Sequence, residues 1–317
     1  MYNIDKLFEN IKAKGHVCVG LDTCADYVPP AQRRKEANDA MAVLSYNKAL
    51  IDATCDIAAC YKVQIAYYEE MGMKGLHAYS ETLRYIRSKN CLIIADIKRG
   101  DIADTALRYS KAHFSGDFEA DFVTLNPYMG MDSIQPWIDE ALNTKTDRLK
   151  GAFVLMKTSN QGMKDFECLE INNDGNENDG KSRFVYDAVG KKMSDLALRY
   201  KGNYGYGMFG VVVGCPPAQQ DEAAAIRKNY PDLFFLIPGY GAQGGGARDA
   251  AALLLNGNGG VVNASRSIVN AWQNKDNITN NVNPDSADNL SAAGAARQAV
   301  IKMRDEIFLE LKTQKEA

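Results

Sequence analysis

The chain has 317 residues, 46% hydrophobic and 24% charged, with a formal net charge of -3. That is the composition of a globular chain, long enough for one large α/β barrel or two ordinary domains. The small net charge gives no reason to expect nucleic acid or an acidic membrane as a partner, and no apolar stretch approaches the roughly 18 residues of a spanning helix.

Residues 2–14 carry Ile4, Leu7, Phe8 and Ile11 on one helical stripe. Charges run through the same segment at Asp5, Lys6, Glu9, Lys12 and Lys14, so it does not read as a secretory signal. The seven cysteines are scattered, and Cys18, Cys60, Cys91 and Cys215 lie in apolar runs. They read as reduced, buried thiols of a cytoplasmic protein. None has the CxxC spacing of a zinc site.

Residues 16–22, HVCVGLD, read as a buried strand ending in Asp22. A long helix is expected over 31–53. Residues 57–66, IAACYKVQIA, read as a second strand with one charge, Lys62, in its middle. A lysine there is paired or functional rather than simply solvated. A helix over 76–88 leads to the densest stretch, Cys91–Thr105.

Leu92–Ala95 is an aliphatic run of the kind buried on both faces of a parallel sheet. Its carboxyl end carries Asp96, Lys98, Arg99, Asp101 and Asp104. Asp96 and Lys98 are two apart, so an extended strand puts them on one face. Gly100 lets the chain turn, and Asp101 is placed to cap the next helix.

The alternation continues. Strands are expected over 121–128, 151–159, 209–215, 233–239 and 260–266. Helices are expected over 133–142, 184–200, 218–229, 248–256 and 291–311. About eight strand–helix units point to a (β/α)8 TIM barrel, one domain over 1–317, since no composition break marks a boundary. A doubly wound open sheet is the alternative, but no strand-to-helix turn carries GxGxxG. Two segments are polar and irregular. One, 161–182, forms an extended loop after strand five, where barrels carry lids. The other, 274–289, reads as a surface loop.

The carboxyl ends of barrel strands form the active face. Asp22, Lys62, Asp96, Lys98, Asp101 and Asn126 fall there from strands one to four. Strand five adds Lys157, Thr158, Ser159 and Asn160, and strand eight adds Asn263, Ser265 and Arg266. Polar strand ends are ordinary, because they meet solvent. Lysines and aspartates alternating within two buried strands are not. The glycine-rich loop from Pro238, together with Arg266, suits a phosphate: glycines let backbone N–H groups approach its oxygens, and the guanidinium adds a charged fork.

No histidine lies at a carboxyl end: His16 starts strand one, and His77 and His113 are helical. Serine triads and thiol–imidazole pairs are therefore poorly supported. A buried Lys98 flanked by carboxylates keeps its proton and is a proton donor. A Schiff-base lysine needs the opposite environment.

Asp96-Ile-Lys98-Arg-Gly-Asp101-Ile102, preceded by the Lys62 strand, resembles the D-x-K-x-x-D signature of the orotidine 5′-phosphate decarboxylase family. Pro238-Gly-Tyr-Gly-Ala-Gln243-Gly244-Gly and Ser265-Arg266-Ser-Ile268 resemble its two phosphate-side elements, and Gly20-Leu-Asp22 its first strand end. These motifs span most of the chain in the family's order. Thr158-Ser159-Asn160, the chain length and the loop after strand five resemble the family's longer bacterial branch.

The resemblance implies a cofactor-free and metal-free decarboxylation of orotidine 5′-monophosphate to uridine 5′-monophosphate, the last step of pyrimidine nucleotide synthesis. It implies that Lys98 protonates C6, that Asp96 sits against the substrate carboxylate, and that Lys62 holds Asp96 and contacts the ribose. It implies a homodimer in which Asp101 acts across the interface, with Ile102 and Thr105 beside it. Asp22 would bind ribose hydroxyls and Ser159 the pyrimidine. Gln243 and Arg266 would hold the phosphate, under the loop containing Pro238 and Gly244. Two rivals remain: a magnesium-dependent keto-gulonate phosphate decarboxylase of the same superfamily, whose carboxylates would be metal ligands, and a catalytically dead phosphate-binding module.

Overall fold

Each apolar run becomes a parallel strand in the computed structural model, which describes residues 2–143, 148–171, 183–241, 244–274 and 289–316. The eight strands, in chain order, are Val17–Gly20, Cys60–Gln64, Ile93–Arg99, Phe122–Leu125, Gly151–Lys157, Phe209–Val213, Phe235–Ile237 and Gly260–Ala264. They pair in sequence order, and strand eight returns to strand one with Val17 opposite Val262 and Cys18 opposite Asn263. The ring is closed, so the (β/α)8 barrel holds and the open sheet does not.

The two faces of each strand bury different partners. Val17, Val19, Ile93, Ala95 and Val123 join the helices in one apolar cluster. Cys18, Cys60, Leu92, Ile94, Phe122, Phe153, Leu236 and Val261 form a second cluster within the ring. Such alternation is the pleat of a barrel strand with both faces covered. Ile4, Leu7 and Ile11 of the first helix, Asn3–Lys14, belong to the inner cluster. That helix therefore plugs the amino-terminal end of the barrel, and Asn10 Nδ2 donates to Ala59 O at 2.9 Å to fix it.

The last helix, Asn289–Glu316, buries Val300, Met303 and Ile307, and Arg297 Nη1 donates to Asp56 Oδ1 at 2.6 Å. Among the described residues, no helix is long and apolar enough to cross a membrane.

Several boundaries differ from the sequence expectation. The long helix over 31–53 is two pieces, Pro30–Arg33 and Asp39–Thr54. Asn38 starts the second, accepting from Met41 N at 3.1 Å, as a capping side chain does. Asp101 does not cap the helix Ala103–Phe114; its Oδ1 accepts from the adjacent Ile102 N at 2.8 Å. The left-handed residue at the end of strand three is Lys98, at φ 44°, rather than Gly100. The backbone at Gly100 passes close to the end of strand four: a Cβ there would lie 3.2 Å from Asn126 Cβ.

The loop after strand five begins with the turn Gln161–Asp165, and Glu170–Ile171 pairs with Arg183–Phe184 in a short antiparallel ribbon. Residues 172–182 of the expected lid, and 275–288 of the second polar segment, lie outside the described residues.

Candidate active site

Toward the carboxyl end, the inner faces of four strands change from apolar to polar. Cys60 is followed two residues on by Lys62, Ile94 by Asp96, Phe122 by Thr124 and Val261 by Asn263. All four polar residues are buried. Register brings strands two, three and four together there, with Gln64 opposite Asp96 and Ala95 opposite Val123.

Lys62 Nζ donates to Asp96 Oδ2 at 2.8 Å and to Asp22 Oδ1 at 2.9 Å. The other oxygen of Asp96, Oδ1, accepts from Lys98 Nζ at 2.6 Å and from Thr124 Oγ1 at 2.8 Å. Thr124 Oγ1 in turn accepts from the backbone N–H groups of Ile97 and Lys98, each at 3.0 Å. Asp22 Oδ2 accepts from Ser265 Oγ at 2.8 Å. One chain of charge-assisted contacts therefore links strand eight to the end of strand three.

Burial alone would push the Asp96 carboxyl upward. The charges of Lys62 and Lys98 outweigh it and hold the group well below the usual carboxylate range. Burial would likewise strip Lys62 of its proton, but Asp22 and Asp96 hold its ammonium well above the ordinary lysine value. Both groups are ionised at neutral pH because each has partners of opposite charge.

Lys98 differs from the expectation of a buried donor: its side chain is 46% exposed. It stands at the mouth of the barrel, tethered to a buried carboxylate. Strand three shifts register between Ala95 and Arg99, so the left-handed Lys98 backbone, and not the pleat alone, aims its side chain at Asp96.

These groups line a cavity of about 380 Å³. Its lining includes Asp22, Lys62, Asp96 and Lys98 from strands one to three, Thr158, Ser159 and Asn160 after strand five, and Pro238, Tyr240 and Arg266 after strands seven and eight. Gly244 is not among the lining residues; it turns at φ 88° within the loop, its N donating to Gly241 O at 2.9 Å. Gln243 lies outside the described residues.

Asp101, Ile102 and Thr105 do not line this cavity. Ile102 is 45% exposed and Thr105 is exposed too. Two other strand-end groups turn elsewhere. Lys157 Nζ pairs with Glu222 Oε2 at 2.7 Å, and Asn126 Oδ1 accepts from Tyr128 N at 3.0 Å.

Sequence reasoning missed Thr124, Gln64, Tyr27 and Tyr67, which all line the cavity. Thr124 follows the inward Phe122 by two residues, and its contact with Asp96 on the neighbouring strand is what marks it. The two tyrosines leave no comparable signal, because they come from a short turn, Ala25–Tyr27, and a short helix, Ala66–Glu69.

Where a divalent cation would sit between Asp22 and Asp96, the Lys62 ammonium already sits, hydrogen-bonded to both. The array thus has the donor set of a lysine–carboxylate device. Among the described residues there is no group of three or more side chains arranged to hold a metal.

Comparison with known proteins agrees with this geometry. The family model described as orotidine 5′-phosphate decarboxylase / HUMPS matches residues 15–279. An orotidine 5′-phosphate decarboxylase of Clostridium perfringens (strain 13 / Type A) is 51% identical over 303 residues, covering 96% of this chain and 97% of its own. That of Clostridium kluyveri is 48% identical over 306 residues, covering 96% and 97%. The solved OMP decarboxylase of Leishmania donovani is 31% identical with a TM-score of 0.68, covering 96% of this chain and 100% of its own. Motif, barrel and relatives agree, and the chain belongs to the orotidine 5′-phosphate decarboxylase family.

Proposed function

We propose that Lys98 supplies the proton in the family's reaction and that the array around it is shared between two subunits. The activity is the decarboxylation of orotidine 5′-monophosphate to uridine 5′-monophosphate and carbon dioxide, a carboxy-lyase step of pyrimidine nucleotide synthesis. The observation that carries the reading is the Asp22–Lys62–Asp96–Lys98 chain, opening into a cavity that also holds Arg266.

The chemistry follows from the charges. The substrate's C6–carboxylate bond breaks, carbon dioxide leaves, and the bonding pair stays on C6. No neighbouring group on the ring accepts that pair. The Lys98 ammonium stabilises the charge as it develops and then passes a proton to C6, becoming neutral. Asp96, ionised and fixed by Lys62, Lys98 and Thr124, stands beside the leaving carboxylate and favours its departure. Lys62 and Asp22 take the ribose, and Ser159 takes the pyrimidine. Arg266 and Gln243 take the phosphate, and the loop from Pro238 through Gly244 covers it. Binding energy from that remote phosphate is available to drive closure around the reacting carbon.

Asp101, half-buried, and the exposed Ile102 and Thr105 stand outside their own cavity, which suits a role in a second copy. In the homodimer, Asp101 of each subunit completes the other's array. The chain works as one barrel domain without metal or cofactor. Free thiols at all seven cysteines support a cytoplasmic setting.

The test is the absorbance lost as orotidylate is consumed by protein exhaustively treated with chelator. Undiminished turnover is the expected result. Activity that disappears with chelation and returns with magnesium would favour the metal-dependent rival.

A further inference from the structure

The rim of strand five is held from outside the cavity. Thr158 follows the last residue of that strand, Lys157, and opens the stretch to Asn160 that lines the cavity. Glu167 accepts two bonds from it: Thr158 N donates to Oε2 at 2.7 Å, and Thr158 Oγ1 to Oε1 at 2.8 Å. Thr158 Oγ1 also lies 2.6 Å from Asn160 Oδ1. Hydrogen bonds to an ionised acceptor are among the stronger ones in proteins.

Glu167 is itself anchored at both backbone ends. Its N donates to Met163 O at 2.8 Å, and its carbonyl accepts from Tyr186 N at 2.9 Å. It therefore ties the end of strand five to the turn Gln161–Asp165 and to the helix Val185–Arg199.

An independent constraint acts from the neighbouring strand. Gly214 follows strand six, and its N donates to Lys157 O at 2.8 Å. A Cβ at this glycine would lie 2.6 Å from Ser159 Cβ and 2.8 Å from Ser159 N. Ser159 thus packs directly on a bare backbone on one side, while its predecessor is clamped on the other. Glu167 does not line the cavity, and its two side-chain bonds go to Thr158, at the head of the stretch that does.

We propose that Glu167 is a positioning residue for recognition of the pyrimidine: it fixes Thr158–Asn160 so that Ser159 meets the base. This inference rests on the reading that Ser159 contacts the pyrimidine. It makes base recognition a property of the fold beneath the loop after strand five, with Glu167 as the tie.

The experiment compares two competitive inhibitors, uridine 5′-monophosphate and ribose 5-phosphate, which lacks the base. Glu167→Ala should weaken uridylate and raise the KM for orotidylate about tenfold, from the lost hydrogen bonds to a charged acceptor. Ribose 5-phosphate should bind as before. Glu167→Gln retains one carbonyl acceptor and should recover most of the loss. In the double variant with Ser159→Ala, the Glu167→Ala effect should largely vanish, since coupled residues are not additive.

Equal weakening of both inhibitors would overturn the proposal in favour of a merely structural role. Unchanged uridylate affinity in Glu167→Ala, with Ser159→Ala impaired, would overturn the inference alone. Unchanged uridylate affinity in Ser159→Ala would overturn the base contact and the inference with it. If Glu167→Ala does not fold, Glu167→Asp repeats the comparison, because it keeps the charge but withdraws the carboxylate by one methylene.

Discussion

Lys98 Nζ stands 2.6 Å from Asp96 Oδ1 while the Lys98 backbone sits in the left-handed region at φ 44°. A side-chain-bearing residue held there costs on the order of 1 kcal/mol or more, and such strain gathers at functional sites. The fold tolerates it because Thr124 Oγ1 accepts from the Lys98 N–H and donates to the Asp96 carboxylate. The proposed donor and its buried partner are thus set by one hydroxyl on the next strand.

Lys98→Ala removes the ammonium proposed to meet the developing charge. Decarboxylation should fall by a factor on the order of 10³ or more, as expected when a central electrostatic group is lost. Uridylate should still bind, because Arg266 and Ser159 are untouched. Orotidylate turnover and uridylate titration measure the two halves, and retained turnover would remove Lys98 from the proton-donor role.

Thr124→Val keeps the shape of the side chain and deletes its hydroxyl. Asp96 loses a hydroxyl donor, and the backbone N–H groups of Ile97 and Lys98 lose their acceptor. Stability should drop by about 1–3 kcal/mol. The kcat should drop about 10- to 100-fold through misplacement of Lys98 and Asp96. Thr124→Ser restores the hydroxyl and should restore most of both. Urea unfolding and steady-state rates check it; a stable variant with normal kcat would show that the hydroxyl does not set the pair.

Mixing inactive subunits tests the shared site. A Lys98→Ala subunit still offers Asp101, and an Asp101→Asn subunit still offers Lys98. Random pairing at equal amounts makes about half the dimers hybrid, each with one intact site, so about a quarter of the original activity should return. Activity that stays at the level of the separate variants would confine Asp101 to its own chain.

Asp96→Asn leaves buried Lys62 with Asp22 as its remaining carboxylate among these contacts. Removing one partner of a buried pair should cost about 3–5 kcal/mol at neutral pH. The Asp96 carboxyl is held below its unfolded value, so its contribution is complete above about pH 4 and fades as pH falls through the folded value. Lys62 is held above its unfolded value, so its contribution is complete below about pH 10 and fades as pH rises through the folded value. The stability gap between the two proteins should therefore be flat from about pH 5 to 9 and narrow in acid. Urea unfolding at fixed pH values checks this, and a gap that drifts in the neutral range would contradict the assignment.

The barrel was legible in the sequence because a strand buried on both faces has to be written as an apolar run, and Leu92–Ala95 or Phe209–Val213 reads that way without alternation. Lys62 and Asp96 were legible for the same reason: a charge in such a run needs a partner. Thr124 was overlooked because a threonine near a strand end is unremarkable until its neighbour across the ladder is known. Glu167 is further still from legibility, since its role depends on a fold-back between two turns. The exposure of Lys98 was misread because proximity to carboxylates was equated with burial. The strand end is in fact open on the side away from Asp96.

That openness has a consequence for the catalytic cycle. Asp22 and Asp96 carry two negative charges, and Lys62 and Lys98 two positive ones, so the four together are neutral before substrate enters. On the proposed chemistry, each turnover ends with Lys98 deprotonated and the quartet one charge negative. The enzyme must then reload a proton before it can act again. A lysine sealed in the barrel would need a relay for this. Lys98, 46% exposed at the mouth, can take the proton from water as soon as product leaves. Asp96 Oδ1, 2.6 Å away, then holds the ammonium in place for the next substrate.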